Sequence, residues 1–266
     1  NVCPHRGASL HLGKFKDDSI QCPYHGWEFD CDGNLIKVPT TKNKPRCKLD
    51  SLNLREHGGF VWIDDGDIVP SERLGPLYSS NWVKIYGGMD LNGSVDKWLM
   101  NATDISHINF VHRFGDEDNG SIDDVSIGID EHYIKCKTGV NSKATNTFTE
   151  HMQPEDKTSV TTTFRFPSSN QVWIKMKKPY EFITFTTYTP ISSDKTMINW
   201  CLLYPKGNIL TDNFITKSYF DRQMYVTTKQ DEDVVSSIPQ LFESNINVAA
   251  DNFQLEVMNR LKDEDS

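Results

Sequence analysis

Two short segments near the start of the chain each combine one cysteine with one histidine. Cys3 and His5 form the first pair, and Cys22 and His25 form the second after a spacer of sixteen residues. Two thiolates and two imidazoles can bind zinc, or a two-iron cluster in which histidines replace two cysteines. A zinc finger usually takes both cysteines from one knuckle and both histidines from one helix. Because each segment here supplies one of each, the pattern favours a [2Fe–2S] cluster, with structural zinc as the alternative.

The residues beside these four side chains suit two tight loops around a metal site. Gly7 and Gly26 permit sharp turns and a close approach of the backbone, and Trp27 can shield the site from water. The blocks 3–10 and 22–39, CPHRGASL and CPYHGWEFDCDGNLIKVP, closely resemble the Rieske domain of aromatic-ring-hydroxylating oxygenases.

The resemblance implies a ligand set for the cluster. By resemblance, Cys3 and Cys22 bind one iron of a [2Fe–2S] cluster, and His5 and His25 bind the other. Respiratory Rieske proteins carry a further disulfide cysteine in each loop. This chain has alanine and tyrosine at those two positions, residues 8 and 24, so the oxygenase branch is favoured.

A second group of candidate ligands lies in the segment 101–112. Asp104 and His107 are three residues apart and share one face of a helix. His112 is five residues beyond His107, which rotates it well away from that face in an ideal helix. If both histidines bind one metal, the helix must end or distort between them. Either histidine alone is explained by an ordinary structural role, but the pair with an aspartate predicts a metal site.

A third ligand for this metal is expected from the late helix. Asp231 shares a predicted inward-facing stripe with an apolar set of side chains: Val234, Val235 and Ile238. A carboxylate on an apolar face needs a partner, and a metal supplies one. Asp233 lies on a polar face and is the alternative ligand, whereas Asp221 lacks the sequence context.

This second block resembles the mononuclear iron motif of the same oxygenases. The resemblance implies that His107, His112 and Asp231 bind non-haem Fe(II), one per subunit. Asp104 would bridge to a cluster histidine of a neighbouring subunit, and Asn101 matches a polar position of the motif. The implied protein is a terminal oxygenase (alpha) subunit, a head-to-tail homotrimer that hydroxylates, dihydroxylates, demethylates or desaturates a small organic substrate with O₂.

The source of electrons is expected to be a separate protein. No Gly-x-Gly-x-x-Gly fingerprint for a dinucleotide occurs in the chain. Electrons should therefore come from NAD(P)H through a separate reductase or ferredoxin. Two other hypotheses stay open: a Rieske-type electron-transfer protein without oxygenase activity, and a zinc-stabilised binding module without a redox role.

The elements that must position these residues predict an α+β protein. Residues 1–80 contain short strands and a hairpin turn at Asp32-Gly33, which we interpret as an all-β Rieske domain. Residues 81–266 are interpreted as a catalytic domain of the helix-grip (START/Bet v 1-like) type. In it we predict a helix over 94–113, antiparallel strands from Glu131 to Tyr204, and helices over the two segments 212–237 and 244–262.

Two further expectations concern the domain boundary and the substrate. The Pro- and Gly-containing segment 70–76 is interpreted as the linker between the domains. Aromatic side chains of the second domain are candidates for the substrate pocket, although a structural role in the core is expected for most of them: Phe110, Phe164, Trp173, Phe185, Tyr188 and Trp200.

Composition restricts the partners. The 266 residues carry a net charge of −9, and 37% are hydrophobic, as in folded globular proteins. An acidic chain is a poor partner for nucleic acid, and no apolar run is long enough to cross a bilayer. Six dilute cysteines without a secretion signal predict a reducing, cytoplasmic location. Because the functional motif begins at Cys3 without an initiator methionine, we expect an N-terminally incomplete Rieske domain.

Overall fold

The computed structural model describes residues 1–63, 75–154, 157–207, 214–239 and 244–264. The chain forms two compact units, Asn1–Arg73 and Leu74–Ser266. The first is built from short strands, and the second combines a large sheet with helices. The predicted α+β class is confirmed. Most of the predicted linker, residues 70–74, lies outside the described residues.

The first unit is a small antiparallel β-structure. Among its described residues the strands are β1 (Lys14–Lys16), β2 (Ser19–Gln21), β3 (Glu28–Asp30), β4 (Leu35–Lys37), β5 (Leu54–His57) and β6 (Phe60–Ile63). Strands β1 to β4 form one sheet in sequence order, and β5 pairs with β6. The core of the unit includes both candidate cysteine ligands together with the apolar side chains of Leu10, Phe29, Leu35 and Val38. The cysteines therefore belong to the hydrophobic core of this unit.

The predicted hairpin turn at Asp32-Gly33 joins β3 to β4. Gly33 has a φ of +82°, and its N–H donates to the carbonyl of Asp30 at 3.0 Å. A Cβ atom added at Gly33 would lie 2.3 Å from the carbonyl oxygen of Leu49. Both the left-handed backbone and this close approach require glycine.

The second unit is built on one seven-stranded antiparallel sheet with the order β7-β13-β12-β11-β10-β9-β8. Its strands are β7 (Trp82–Asn92), β8 (Asp123–Ile129), β9 (Tyr133–Val140), β10 (Thr158–Arg165), β11 (Ser169–Lys175), β12 (Glu181–Ser192) and β13 (Lys195–Pro205). Its helices are α1 (Gly75–Tyr78), α2 (Val95–Thr103), α3 (Ile108–Val111), α4 (Thr147–Glu150), α5 (Phe214–Val235) and α6 (Asn252–Glu264).

The main core of this unit lies between the sheet and the helices α2, α5 and α6. Trp98 of α2, Val235 of α5 and Phe253 of α6 pack with buried residues of the strands, among them Ile134 and Ile198. Sheet residues alternate between the two faces, so one face of the sheet supports the helices. None of the described helices is long and apolar enough to cross a membrane.

Three sequence predictions about the helices are corrected. The helix predicted over 94–113 is interrupted after Thr103 and resumes at Ile108. The last helix begins at Asn252 and not at residue 244; a 3-10 turn over Ala249–Asp251 precedes it, and the N–H of Val248 donates a hydrogen bond to the Asp251 carboxylate at the start of that turn. On α5, Val234 is exposed and does not belong to the inward stripe.

The buried carboxylate of Glu232 joins α5 to the end of β7. It accepts hydrogen bonds from the backbone N–H of Asn92 at 2.8 Å and from the side-chain Nδ2 of the same residue at 3.1 Å. Lys229 pairs with its other oxygen at 2.5 Å. These contacts fix the position of α5 relative to the end of β7.

Replacement of Glu232 by alanine should destabilise the second unit by about 1–3 kcal/mol, because two donors of Asn92 lose their acceptor. The measurement is urea-induced unfolding followed by far-UV circular dichroism. Asp233→Ala is the matched control, since its side chain is exposed on the same helix. Equal midpoints for the two variants would contradict this role of Glu232.

Candidate functional site

The two Cys–His segments form loops with the same backbone hydrogen bonds. In the first loop the N–H of Cys3 donates to the carbonyl of Ala8 at 2.8 Å, and the N–H of Gly7 donates back to Cys3 at 2.9 Å. In the second loop the N–H of Cys22 donates to Trp27 at 2.8 Å, and the glycine before Trp27 donates back to Cys22 at 3.1 Å. Both glycines have positive φ angles. The sequence spacing therefore encodes two equivalent turns.

These loops bring two thiols and two imidazoles together. The rings of His5 and His25 lie 4.6 Å apart, and the ring of His5 stacks on Trp27 at 4.3 Å. The Nδ1 atom of His5 is buried and has no hydrogen-bond partner. Cys3 and Cys22 are both 2% exposed and free of disulfides.

The protonation of the two thiols differs. Burial and the neighbouring thiol of Cys22 raise the pKa of Cys3. Burial acts in the same direction on Cys22, but backbone N–H groups of Tyr24 and His25 outweigh it and lower the pKa of that thiol. Backbone donors aimed at sulfur and an unpartnered imidazole nitrogen fit a metal cluster held by two cysteines and two histidines.

The second candidate site depends on the interruption between α2 and α3. Asp104 ends α2 with an extended backbone, and His107 precedes the single turn of α3. His112 follows α3 with an extended backbone, φ −96° and ψ 140°. The interruption thus precedes both histidines, and the single helical turn of α3 lies between them.

The side chains of three predicted ligands converge at this point. The Nε2 atoms of His107 and His112 lie 3.5 and 3.4 Å from Oδ1 of Asp231 on α5. Among the described residues this trio is the one group of three potential metal ligands within 4.8 Å of one another. Asp233 and Asp221 are exposed and lie outside it. Two imidazoles and one carboxylate are the donor set of a facial Fe(II) site.

Neighbouring amides orient these ligands. Nδ1 of His112 lies 3.3 Å from Oε1 of Gln230, so a proton on Nδ1 leaves the Nε2 lone pair directed at Asp231. Nδ2 of Asn101 is 3.5 Å from Oδ1 of Asp231. Sequence reasoning did not identify Gln230. Its position next to Asp231 in the sequence could have suggested a role at the site, but the contact with His112 depends on the tertiary fold.

Burial controls the protonation of the trio. It lowers the pKa of His107 and of His112 to about 4 and raises the pKa of Asp231 to about 7. Both imidazoles are consequently neutral near pH 7 and can donate lone pairs. Nδ1 of His107 is buried without a hydrogen-bond partner. A buried trio with few partners of its own fits a bound cation.

Asp104 lies beside His107. Its Oδ1 accepts a hydrogen bond from the N–H of Ser106 at 2.7 Å. Its Oδ2 is 4.0 Å from Nδ1 of His107, and the carboxylate side chain is 34% exposed. Burial is the main cause that raises the pKa of Asp104. The carboxylate can therefore reach both the metal-ligand side and the surface of this unit.

A cavity of about 340 Å³ opens at the three ligands. It is lined by residues of α2, α3 and α5 and by one face of β10 to β13. Of the six predicted aromatic candidates, Tyr188 and Trp200 line it. Phe164 and Phe185 belong to the core, and Phe110 is 63% exposed. Trp173 donates its indole N–H to a glutamate at 2.8 Å.

Two protein families match the chain. Residues 1–56 match the Rieske [2Fe-2S] domain, and residues 96–263 match the vanillate O-demethylase oxygenase C-terminal domain. The first match contains the paired Cys–His loops. The second contains both histidines and the aspartate of the second site.

Curated relatives and solved structures agree with these matches. The chain is 37% identical over 114 residues to the chloroplastic chlorophyllide a oxygenase of Arabidopsis thaliana, covering 42% of this chain and 21% of that protein. It is 34% identical over 117 residues to the vanillate O-demethylase oxygenase subunit of Pseudomonas sp. (strain ATCC 19151), covering 42% and 36%. The matched segments thus span well under half of these relatives. The fold is shared with dicamba monooxygenase bound to 3,6-dichlorosalicylic acid, with a TM-score of 0.82, 18% identity and coverage of 98% and 84%.

Replacing Gln230 by leucine should weaken Fe(II) binding at the second site by about 10–100-fold, because His112 loses the partner that orients its ring. Anaerobic calorimetric titration of Fe(II) into chain depleted of that metal measures the change. Gln223→Leu makes the same substitution two turns earlier on α5 and should leave the affinity within about twofold. Equal losses for both variants would show that Gln230 has no orienting role.

Proposed function

Since this chain belongs to the Rieske oxygenases that carry the vanillate O-demethylase oxygenase C-terminal domain, we propose that it is a terminal oxygenase. It uses O₂ and relayed electrons to hydroxylate, dihydroxylate or demethylate a small organic substrate. The observation that carries this proposal is the convergence of His107, His112 and Asp231 at the wall of a cavity. An electron carrier without oxygenase activity needs neither the trio nor the cavity.

The first unit holds the electron-relay site in this proposal. Cys3 and Cys22 bind one iron of the [2Fe–2S] cluster, and His5 and His25 bind the other. Support comes from the matching loops, from the burial of both thiols and from the unpartnered Nδ1 of His5. The cluster supplies single electrons when bound, and Trp27 covers the ring of His5. We assign residues 1–80 to this domain.

Residues 81–266 form the oxygenase domain in the proposal, with Fe(II) held by His107, His112 and Asp231. The iron supplies O₂ activation when bound. The chain's own residues fix its surroundings: Gln230 holds the tautomer of His112, and mainly apolar side chains line the cavity. Asp104 is the bridging residue toward a cluster histidine of a neighbouring subunit, because its Oδ2 faces Nδ1 of His107 and part of the carboxylate reaches the surface.

The partners follow from the same proposal. The substrate is a small organic molecule. This part of the proposal follows the names of three relatives, which state that those proteins act on vanillate, chlorophyllide a and dicamba. A separate reductase or ferredoxin delivers electrons from NAD(P)H, and the chain assembles as a homotrimer. We also propose a cytoplasmic location, since all six cysteines are free thiols.

Metal analysis tests the central proposal. The anaerobically purified chain should hold about three irons and two acid-labile sulfides, which corresponds to one cluster and one mononuclear iron. Asp231→Ala should hold about two irons and two sulfides, because it removes a ligand of the second site only. Asp233→Ala is the matched control and should keep three irons.

Three outcomes would count against the proposal. Two irons and two sulfides in the unaltered chain would favour the electron-carrier alternative. Zinc without sulfide would favour a zinc-stabilised module. If Asp233→Ala lost one iron and Asp231→Ala retained three, the third ligand would be Asp233 and not Asp231.

The need for a separate electron donor gives another expected outcome. The purified chain with both metal sites filled should not consume NADH, because its sequence contains no dinucleotide fingerprint. NADH oxidation is followed by the loss of its near-ultraviolet absorption, with a ferredoxin and ferredoxin reductase added as a positive control. NADH consumption by the chain alone, in proportion to O₂ uptake, would refute the separate reductase.

A further inference from the structure

The first unit contains a basic segment in an otherwise acidic chain. Residues 37–48, KVPTTKNKPRCK, include five lysine or arginine side chains and no aspartate or glutamate. The whole chain has a net charge of −9, so the residues outside this segment are more acidic still. An acidic protein is therefore repelled by the chain as a whole and attracted by this segment.

Both ends of the basic segment are fixed to the core that contains the candidate cluster cysteines. At its start, Val38 is buried in that core, and a Cβ atom added at Gly26 would lie 3.1 Å from Cγ of Pro39. At its end, the carbonyl of Cys47 accepts a hydrogen bond from the N–H of Leu35 at 3.3 Å. The start of the segment thus lies against the second Cys–His loop.

The middle of the basic segment faces solvent. Residues 39–46 are all exposed. A surface groove is lined by residues 34–35 and 44–48, so three of the five cations border it. The segment therefore presents positive charge on an accessible surface of the unit that carries the cluster loops.

Three of the five cations already have partners in the first unit. Lys37 pairs with a carboxylate of the neighbouring strand at 3.3 Å, and Nζ of Lys44 donates to a backbone carbonyl at 3.0 Å. Hydrogen bonds from Asn34 and the charge of Lys48 lower the pKa of Asp30. Among the described residues, no carboxylate pairs with the remaining two cations, Lys42 and Arg46.

This arrangement fits an extended acidic surface better than a small anion. A compact anion needs several donors that converge on one point, but Lys44 and Lys48 are engaged elsewhere in the groove. A protein surface with several carboxylates can contact Lys42 and Arg46 together. Each exposed ion pair contributes little to affinity alone, but together they steer the approach of an acidic partner.

We propose that the basic segment is the docking surface for the electron donor, and that the donor is a protein with an acidic contact surface. The inference rests on the proposed electron-relay role of the first unit, since a donor must approach the unit that holds the cluster. The charge difference within the chain directs such a donor to this segment, next to the second Cys–His loop.

Calorimetric titration with an acidic plant-type [2Fe–2S] ferredoxin tests the docking. The chain has both metal sites filled and both proteins are oxidised, so binding is measured without turnover. At about 0.02 M salt, Lys42→Glu combined with Arg46→Glu should weaken binding by at least about tenfold. Raising the salt to about 0.2 M shortens the Debye length about threefold and should weaken binding to the unaltered chain by a similar factor.

Two control variants separate local charge from other effects. Lys135→Glu combined with Lys137→Glu changes the net charge equally at two exposed lysines of β9 and should leave the affinity within about threefold. Lys42→Arg combined with Arg46→Lys keeps both charges and should leave it within about twofold. Unchanged iron and sulfide contents show that each variant has folded.

Three outcomes would overturn the inference. The first is no measurable binding of the ferredoxin to the unaltered chain. The second is an equal loss of affinity in the variants of the basic segment and of β9. The third is a segment that binds phosphatidylglycerol vesicles in a sedimentation assay, with vesicle binding lost in Lys42→Glu/Arg46→Glu and ferredoxin binding unchanged, which would indicate a membrane surface as its partner.

The two proposals fail in distinguishable ways. A chain that holds two irons and binds the ferredoxin through the basic segment would refute the oxygenase function and keep the docking surface. A chain that holds three irons and binds the ferredoxin equally well after charge reversal would keep the oxygenase function and refute the docking surface.

Discussion

The proposed second metal site depends on one constraint, the spacing of two histidines that must face the same point. His107 and His112 are five residues apart, so a continuous helix would turn them about 140° away from each other. The chain ends α2 at Thr103, forms the single turn of α3 and leaves His112 in extended backbone. The end of α3 at Val111 leaves His112 outside the helix, and both Nε2 atoms lie within 3.5 Å of Oδ1 of Asp231.

The packing of α5 on the sheet places Asp231 near the two histidines. Asp231 lies more than a hundred residues from the histidines, and its position depends on how α5 packs on the sheet. Glu232, the next residue, is tied to the end of β7 by two hydrogen bonds from Asn92, and Val235 is buried in the core. One helix thus carries a structural carboxylate and a ligand carboxylate side by side, on adjacent parts of its buried face.

The sequence predicts those features of the sites that depend on residues close together in the chain. The Cys–His loops follow from glycines and prolines at fixed offsets, and Asp231 was preferred over Asp233 from helical periodicity. The same periodicity failed for Val234, because α5 buries Glu232 in its place through a contact with β7 that no local pattern predicts. The sequence predicts that the helix ends or distorts between His107 and His112 if they share a metal, whereas α2 already ends at Thr103, before both histidines.

The two candidate sites differ in the range of the contacts that build them. Each cluster loop closes on itself within six residues, through backbone hydrogen bonds from Cys3 or Cys22, so the geometry at each cysteine is largely a local property of the first unit. The proposed iron site joins α3 to α5, and the cavity beside it needs the register of four strands. Its ligands are also buried so that the imidazoles are neutral and the Asp231 carboxyl has a raised pKa. The second site therefore forms only when the sheet and helices of its unit have packed, and a metal bound there would in turn stabilise that packing.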